Sequence, residues 1–291
     1  MAASPRVLLD GLIFPEGPRW HDGHLWFSDM YAHRVLEVTD EGETETVVEV
    51  PGQPSGLGWL PDGTMLVVSM TDRRLLRWDG ARLHEVADLS ALAPFHCNDM
   101  VVDAHGRAYI GNFGFDLDAG EEPTGTTLVC VEPDGDAWVV VEQMLFPNGM
   151  VITPDGATII VAESFGQRLS AYEIHDDGSL ANPRIWADLR PNVPDGICLD
   201  AEGAVWVADP VNRGVLRVKE GTGAVDWVST GDTRAIACVL GGEDGRTLFI
   251  CTSRSTNAQK CIEQRAGRIE ATKVDVPYAG YAEPEPEPEA A

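Results

Sequence analysis

Short β-rich runs of mostly hydrophobic residues follow tight glycine turns along almost the whole chain. A turn glycine followed by such a run recurs six times, in HDGHLWFSD, PDGTMLVVS, AHGRAYIGN, PDGATIIVAES, AEGAVWVAD and EDGRTLFICT. The turn glycines are 40 to 50 residues apart, which is the length of one β-propeller blade. Asp-Gly pairs suit hairpin turns, because these turns need positive φ. Each unit therefore predicts a strand, a tight turn and a second strand.

A second alternating pair follows the hairpin, as in LLRWDGARLHEVADL and VLRVKEGTGAVDWVS. Four strands in each of six units predict an all-β fold, a six-bladed β-propeller. A helical array is excluded, because the chain has no 3.6-residue period and contains 30 Gly and 19 Pro. We expect residues 1–280 to form one domain, with the early stretch RVLLDGL completing the last blade. Residues 281–291 alternate Glu and Pro, which predicts a disordered tail.

One polar residue stands in the same place in five of the units. It lies eight positions before the turn glycine in four units and seven before it in the first. The five residues are Glu16, Ser55, Asn98, Asn148 and Asp195. The position lies just ahead of the first strand, which in a propeller is the strand nearest the central channel. Because equivalent positions of successive blades point at one place on the axis, we predict that these residues form a ring.

The ring offers oxygen atoms, including two carboxylates, and no Cys or His. Hard divalent cations prefer such ligands, Ca²⁺ or Mg²⁺ first and Mn²⁺ readily, while Zn²⁺ more often recruits His. A polar residue before glycine is by itself an ordinary turn signal. Five units in phase favour a site instead.

Composition narrows the classes of partner. The chain has 47 acidic and 21 basic residues and a net charge of −26, which argues against nucleic acid and anionic membranes as partners. No apolar run is long enough to span a bilayer, and the first residues lack signal-peptide features. The six cysteines form no C-x-x-C pair, so we expect reduced thiols and a cytoplasmic protein.

The ring residues lie in longer stretches that resemble a known family. These are EGPRWHDGHLWFSDM, CNDMVVDAHGRAYIGN, FPNGMVITPDG and VPDGICLDAEGAVWVAD. In combination they resemble the SMP-30/gluconolactonase family of six-bladed propeller lactonases, also called the regucalcin family, over roughly residues 7–276. The resemblance implies one divalent metal held by Glu16, Asn148 and Asp195. It also implies that Asn98 faces the substrate and the attacking water.

The chain departs from the family pattern at two substrate positions. Sugar-lactonase members carry an Arg two residues before the Asn at position 98, where this chain has His96. They also carry an acid shortly after the next strand, for which Asp116 is the nearest candidate. We assign His96 and Asp116 to substrate binding. The missing Arg favours a smaller or more apolar lactone, or another ester, over a polyhydroxylated sugar lactone.

The expected function is metal-dependent hydrolysis of a small-molecule lactone. The cation, with Ca²⁺ expected first, would act as a Lewis acid, Asp195 as general base and Asn98 as a neutral donor. One alternative is a related propeller acting on other bonds, such as an esterase, a phosphotriesterase or a strictosidine-synthase-like enzyme. The other is a non-catalytic metal-binding or protein-binding scaffold.

Overall fold

Six four-stranded antiparallel sheets make up the computed structural model, which describes residues 4–38 and 44–280. The first strands of adjacent sheets contact one another all the way round, so the sheets are the blades of a closed propeller. This confirms the predicted fold class. The predicted tail, residues 281–291, lies outside the described residues.

The blades follow one another along the chain, each running from the channel outward. After β1 (Arg6–Leu12), blade 1 has β2 (Pro15–His21), β3 (His24–Asp29), β4 (Arg34–Val38) and β5 (Thr44–Glu49). Blade 2 has β6 (Pro54–Trp59), β7 (Met65–Ser69), β8 (Arg74–Trp78) and β9 (Leu83–Asp88). Blade 3 has β10 (Cys97–Val102), β11 (Ala108–Asn112), β12 (Thr126–Val131) and β13 (Ala137–Met144).

The remaining three blades repeat this order. Blade 4 has β14 (Pro147–Ile152), β15 (Thr158–Glu163), β16 (Arg168–Ile174) and β17 (Leu180–Asp188). Blade 5 has β18 (Ile197–Leu199), β19 (Val205–Asp209), β20 (Gly214–Lys219) and β21 (Gly223–Ser229). Blade 6 has β22 (Arg234–Gly241), β23 (Thr247–Ser253) and β24 (Gly267–Lys273). A 3-10 helix, Met30–Ala32, follows β3, and the helix α1, Ala258–Gln264, precedes β24.

The ring of blades is closed by strands from both ends of the chain. Strand β1 pairs antiparallel with β24, with Arg6 opposite Ala271 and Leu12 opposite Gly267. It thereby becomes the outer strand of blade 6, as the sequence predicted for RVLLDGL. Without β1, blade 6 would have three strands and β24 would be its outer edge.

The hydrophobic core lies between blades. Across the described residues, buried apolar side chains form six clusters, and each cluster joins two adjacent blades. Between blades 3 and 4, for example, Tyr109 and Leu128 pack with Ile159 and Val161. Alternation along the strands explains this arrangement, because both faces of each sheet meet a neighbouring sheet. No helix among the described residues is long and apolar enough to cross a membrane.

A bulge in the first strand aims the ring residue of four blades. In these blades the pairing of the first two strands shifts register just after the ring residue, as between Glu16 and Arg19. A bulge bends a strand and redirects a side chain. The next residue is usually glycine because adjacent first strands approach closely there. A Cβ on Gly56 would lie 2.4 Å from the backbone nitrogen of Met100.

This contact predicts a stability difference between two glycines. We expect Gly56→Ala to lower the free energy of unfolding by about 1–3 kcal/mol, because the added methyl overpacks the contact with β10. Gly63 has φ +83° and nothing within 4 Å of a Cβ, so Gly63→Asn, which tolerates a left-handed backbone, is the control. Urea unfolding measures both. Equal stability of Gly56→Ala and wild type would contradict the close approach of the first strands.

Candidate active site

The five predicted ring residues do converge on the propeller axis. Glu16, Ser55, Asn98 and Asn148 are each the second residue of a first strand, one position inside the strand rather than ahead of it. The strand begins earlier than expected because the residue before the ring residue already pairs with the second strand, as Pro147 does with Glu163. Asp195 lies two residues before β18, as predicted.

Asn148 and Asp195 are directly bonded. The Asn148 amide nitrogen donates to Asp195 Oδ1 over 2.5 Å and to Ser164 Oγ over 3.2 Å. Ser164 Oγ in turn donates to the Pro194 carbonyl over 2.7 Å, which fixes the segment that carries Asp195. Both bonds of Asn148 use its amide nitrogen, and its amide oxygen receives no hydrogen bond from any described residue. The oxygen is the atom of an Asn side chain that can bind a cation.

Glu16 and Asn98 each bury a polar atom without a partner. Glu16 Oε1 and Asn98 Nδ2 are both buried and make no hydrogen bond with the described residues. The Ser55 hydroxyl donates to Asn98 Oδ1 over 3.4 Å, which leaves the amide nitrogen of Asn98 as the unpaired donor. Unpaired buried polar groups are costly and uncommon. Their occurrence side by side on the axis indicates a place for a ligand.

The two carboxylates of the ring, Glu16 and Asp195, have too little positive charge near them to stabilise their ionised forms. Burial first, and then the charge of Asp99, raise the pKa of Glu16 to about 8 against smaller opposing effects of Ser55 and Arg19. Burial also raises the pKa of Asp195 well above its ordinary value, and the charge of Glu16 adds to this. Each carboxylate would be stabilised in its charged form by a cation placed between them.

An ion pair between Arg19 and Asp99 lies directly below the ring. Arg19 Nη2 donates to Asp99 Oδ1 over 2.6 Å and to the Met100 carbonyl over 2.6 Å. Arg19 follows Glu16 on β2, and Asp99 follows Asn98 on β10, so the pair joins blade 1 to blade 3. Arg19 also lines a second cavity, of about 550 Å³, on the far side of the ring. The pair therefore lies between the ring and that cavity.

The ring residues fit a hard divalent cation. Glu16, Asn148 and Asp195 provide two carboxylates and an amide oxygen, the oxygen ligands that Ca²⁺, Mg²⁺ and Mn²⁺ prefer. Within residues 4–38 and 44–280, no cluster has three or more His, Cys, Asp or Glu side chains placed to hold a metal. Carboxylates, imidazoles and thiols alone therefore do not form a metal site among these residues. A site with three ligands would need the Asn148 oxygen beside Glu16 and Asp195.

A cavity of about 540 Å³ opens above the ring. Glu16, Asn98, Asn148 and Asp195 lie among its lining residues, and so does His96. Asp116 is not among the residues that line the cavity. The Asp116 side chain instead accepts a hydrogen bond from the backbone of Ala119 over 2.9 Å within the loop after β11.

A different acid of that loop, Asp118, lines the cavity. His96 stacks on Phe95 with ring centroids 4.1 Å apart, and burial lowers the pKa of its imidazole, which favours the neutral form. The group at the position of the family's Arg thus has no permanent charge.

Most of the cavity lining was not among the residues predicted from the sequence. Residues two positions before a ring residue line the cavity in four blades, and these are Phe14, Gln53, His96 and Phe146. The signal was present in the same repeat, because the four residues hold one fixed position relative to the ring residues.

The sequence matches a family model over residues 14–254, and that model describes the SMP-30/Gluconolactonase/LRE-like region. The chain belongs to this family. A relative from Pseudomonas putida, 6-deoxy-6-sulfogluconolactonase, is 25% identical over 280 residues, which cover 94% of each chain. Regucalcin from Danio rerio is 25% identical over 252 residues, 82% of each chain.

Two solved structures share the fold. A calcium-binding protein, regucalcin from Agrobacterium tumefaciens, superposes with a TM-score of 0.79 at 19% identity, over 95% of each chain. The luciferin-regenerating enzyme superposes with a TM-score of 0.80 at 18% identity, over 94% of this chain and 97% of that one. At this identity the likeness shows the six-bladed propeller and no finer property.

The ion pair below the ring predicts a large stability effect. We expect Arg19→Met to lower the free energy of unfolding by about 3–5 kcal/mol in metal-free protein, because it leaves Asp99 buried without its cation and close to Glu16. The control is Arg184→Met, which breaks an exposed pair with Glu220 and should cost at most about 1 kcal/mol. Urea unfolding in EDTA measures both, and equal losses in the two variants would refute a structural role of the buried pair.

Proposed function

We propose that this protein hydrolyses the ring ester of a small-molecule lactone with the help of one divalent cation. The observation that supports it most is the convergence of Glu16, Asn148 and Asp195 at the base of a cavity, in a chain of the SMP-30/gluconolactonase family. The name of the Pseudomonas putida relative, 6-deoxy-6-sulfogluconolactonase, supports the same reaction class.

Glu16, Asn148 and Asp195 are the proposed ligands of the cation. We expect Ca²⁺ first, with Mn²⁺, Mg²⁺ or Zn²⁺ as possible substitutes, because the ligand atoms are all oxygen. The relative from Agrobacterium tumefaciens is described as a calcium-binding protein, which supports the choice. When bound, the cation would act as a Lewis acid on the lactone carbonyl and stabilise the oxyanion that forms.

Asp195 is the proposed general base. Its Oδ1 is held by the Asn148 amide, and its Oδ2 receives no hydrogen bond from any described residue. The carboxylate is partly exposed to the cavity, so it can reach an attacking water. Asp195 would take a proton from this water and return it to the alkoxide that leaves when the ring opens.

Asn98 is the proposed donor to the substrate. Its amide nitrogen is buried and unpaired, while Ser55 holds its amide oxygen. A fixed neutral donor in this position would orient the carbonyl or the water, and it would strengthen its bond as negative charge develops. Because Asn98 is not a proposed ligand of the cation, its loss should affect kcat/KM more than cation affinity.

His96 and the acids after β11 form the proposed outer substrate contacts. His96 lines the cavity two residues before Asn98, in place of the family's Arg. Asp118 takes the place in the lining that we expected for Asp116, and Asp116 would act on the substrate only through the loop it caps.

The six cysteines are all unpaired and buried. They agree with the proposed location in the reducing cytoplasm.

A pH-stat assay over a panel of lactones tests the proposed function. Wild-type activity should disappear in EDTA and return with added Ca²⁺ or Mn²⁺. At saturating metal, Asp195→Asn should lose about 10²-fold or more in kcat, because the amide cannot accept the proton. The variant should keep its fold, since Asn conserves the size and one oxygen.

Asp155→Asn, which changes an acid in an exposed turn of blade 4, is the matched control and should keep wild-type turnover. If Asp195→Asn had near-wild-type turnover at saturating metal, Asp195 would not be the general base. Absence of any EDTA-sensitive lactone hydrolysis by wild type would overturn the proposed function itself.

A further inference from the structure

Two repeated positions of the propeller meet in the cavity above the ring. The first is the position two residues before each ring residue, occupied in the lining by Phe14, Gln53, His96 and Phe146. Each of these four residues stands directly before the first strand of its blade, so together they form a second layer of the lining next to the ring. Two of the four are phenylalanines.

The second repeated position directly follows the second strand of a blade. In blades 1, 2 and 3 its residues, Met30, Met70 and Phe113, all line the cavity. All three are apolar. The repeat thus places apolar side chains above the ring on one continuous side of the channel. We call Phe14, Met30, Met70, Phe113 and Phe146 the apolar wall.

The rings of the apolar wall are packed into an ordered surface. Phe113 stacks on Phe146 with centroids 4.4 Å apart, and Phe95 lies 6.5 Å from Phe113. On the blade 1 side of the cavity, Phe14 lies 5.1 Å from Tyr31. Rigid aromatic surfaces bind apolar groups at low cost in conformational entropy. Phe113 is only half-buried, so its ring remains accessible from the cavity.

The charges of the lining are all negative. Among the described residues, the charged groups that line the cavity are Glu16, Asp118 and Asp195, and no Lys or Arg lines it. An anionic substituent would meet repulsion and find no cation in the lining. A cation bound at the ring would offset the charge of Glu16 and Asp195 but not that of Asp118.

We propose that the substrate is a lactone whose ring carries an alkyl chain and no anionic group. The ester ring would lie against Glu16, Asn98 and Asp195, and the chain would extend along the apolar wall toward the mouth. This inference rests on the proposed function for the reaction, but it is a separate statement about recognition. Discrimination would come from apolar surface buried by the chain.

Matched lactones test the inference in wild-type protein at saturating Ca²⁺. We expect δ-decalactone, which adds a pentyl chain to δ-valerolactone, to exceed it in kcat/KM by about 10- to 100-fold, since the chain buries apolar area. It should also exceed glucono-δ-lactone. The analogue whose chain ends in a carboxylate should lose most of the gain. A glucono-δ-lactone rate equal to or above the δ-decalactone rate would overturn the inference.

A substitution in the apolar wall tests where the alkyl chain of the substrate lies. Phe113→Ala should lower the ratio of kcat/KM for δ-decalactone to that for δ-valerolactone by about tenfold, because part of the apolar surface is removed. Ile185→Ala, an apolar truncation on the exposed face of β17, is the control and should leave the ratio unchanged. A merely structural role of Phe113 would lower both rates together and leave the ratio intact, which would contradict the assignment.

Binding of lactams separates this inference from the proposed function. The δ-lactam with a pentyl chain resists hydrolysis, and calorimetry gives its Kd beside that of the unsubstituted δ-lactam. Tighter binding of the chain-bearing lactam by about tenfold or more supports the apolar recognition, whether or not lactones are hydrolysed. Equal affinities would refute the inference, whereas tight binding without turnover of any lactone would refute only the proposed reaction.

Discussion

Negative charge concentrated on the propeller axis is the constraint on which the site depends. Glu16, Asp99 and Asp195 lie close enough for the charges of Glu16 and Asp99 to act on Asp195. Arg19 pairs directly with Asp99, through a bond of 2.6 Å. Buried charges are stable only when they are paired or bind a metal. The ion pair therefore accounts for Asp99, and the remaining two carboxylates are the ones that the proposed cation would stabilise.

The repeat explains why so much of this could be predicted from the sequence. A propeller converts one position of a repeated unit into a ring on the axis, so an in-phase polar residue predicts a site that no single unit would reveal. Glu16, Asn148 and Asp195, which are far apart in sequence, were brought together by this reasoning alone. The early stretch RVLLDGL was also expected to complete the last blade, and β1 does so beside β24.

Features outside the repeat could not be predicted. Arg19 and Asp99 are 80 residues apart, and nothing in either segment indicates that they pair. Asp99 occupies a position that is glycine in four other blades, which was a signal for a special role but not for a partner. The loop after β11 is much longer than the corresponding loops of blades 1, 2, 4 and 5, so spacing could not decide that Asp118, rather than Asp116, faces the cavity.

The apolar wall could be predicted from the sequence only in part. Phe14 and Phe146 stand at a repeated position, and Met30, Met70 and Phe113 at another, so their convergence follows from the period once the strands are placed. The base of the cavity and its walls thus arise from the same repeat but differ in chemistry. Oxygen ligands at the base suit a cation and an ester, and apolar walls suit the rest of the substrate.

The central claim is that one cation binds between Glu16, Asn148 and Asp195. Crystals grown with Ca²⁺ and measured at a long wavelength would show the ion by its anomalous scattering. The account predicts one strong peak on the axis, about 2.3–2.6 Å from oxygens of all three side chains. No peak on the axis, or a peak that contacts neither Glu16 nor Asp195, would contradict it.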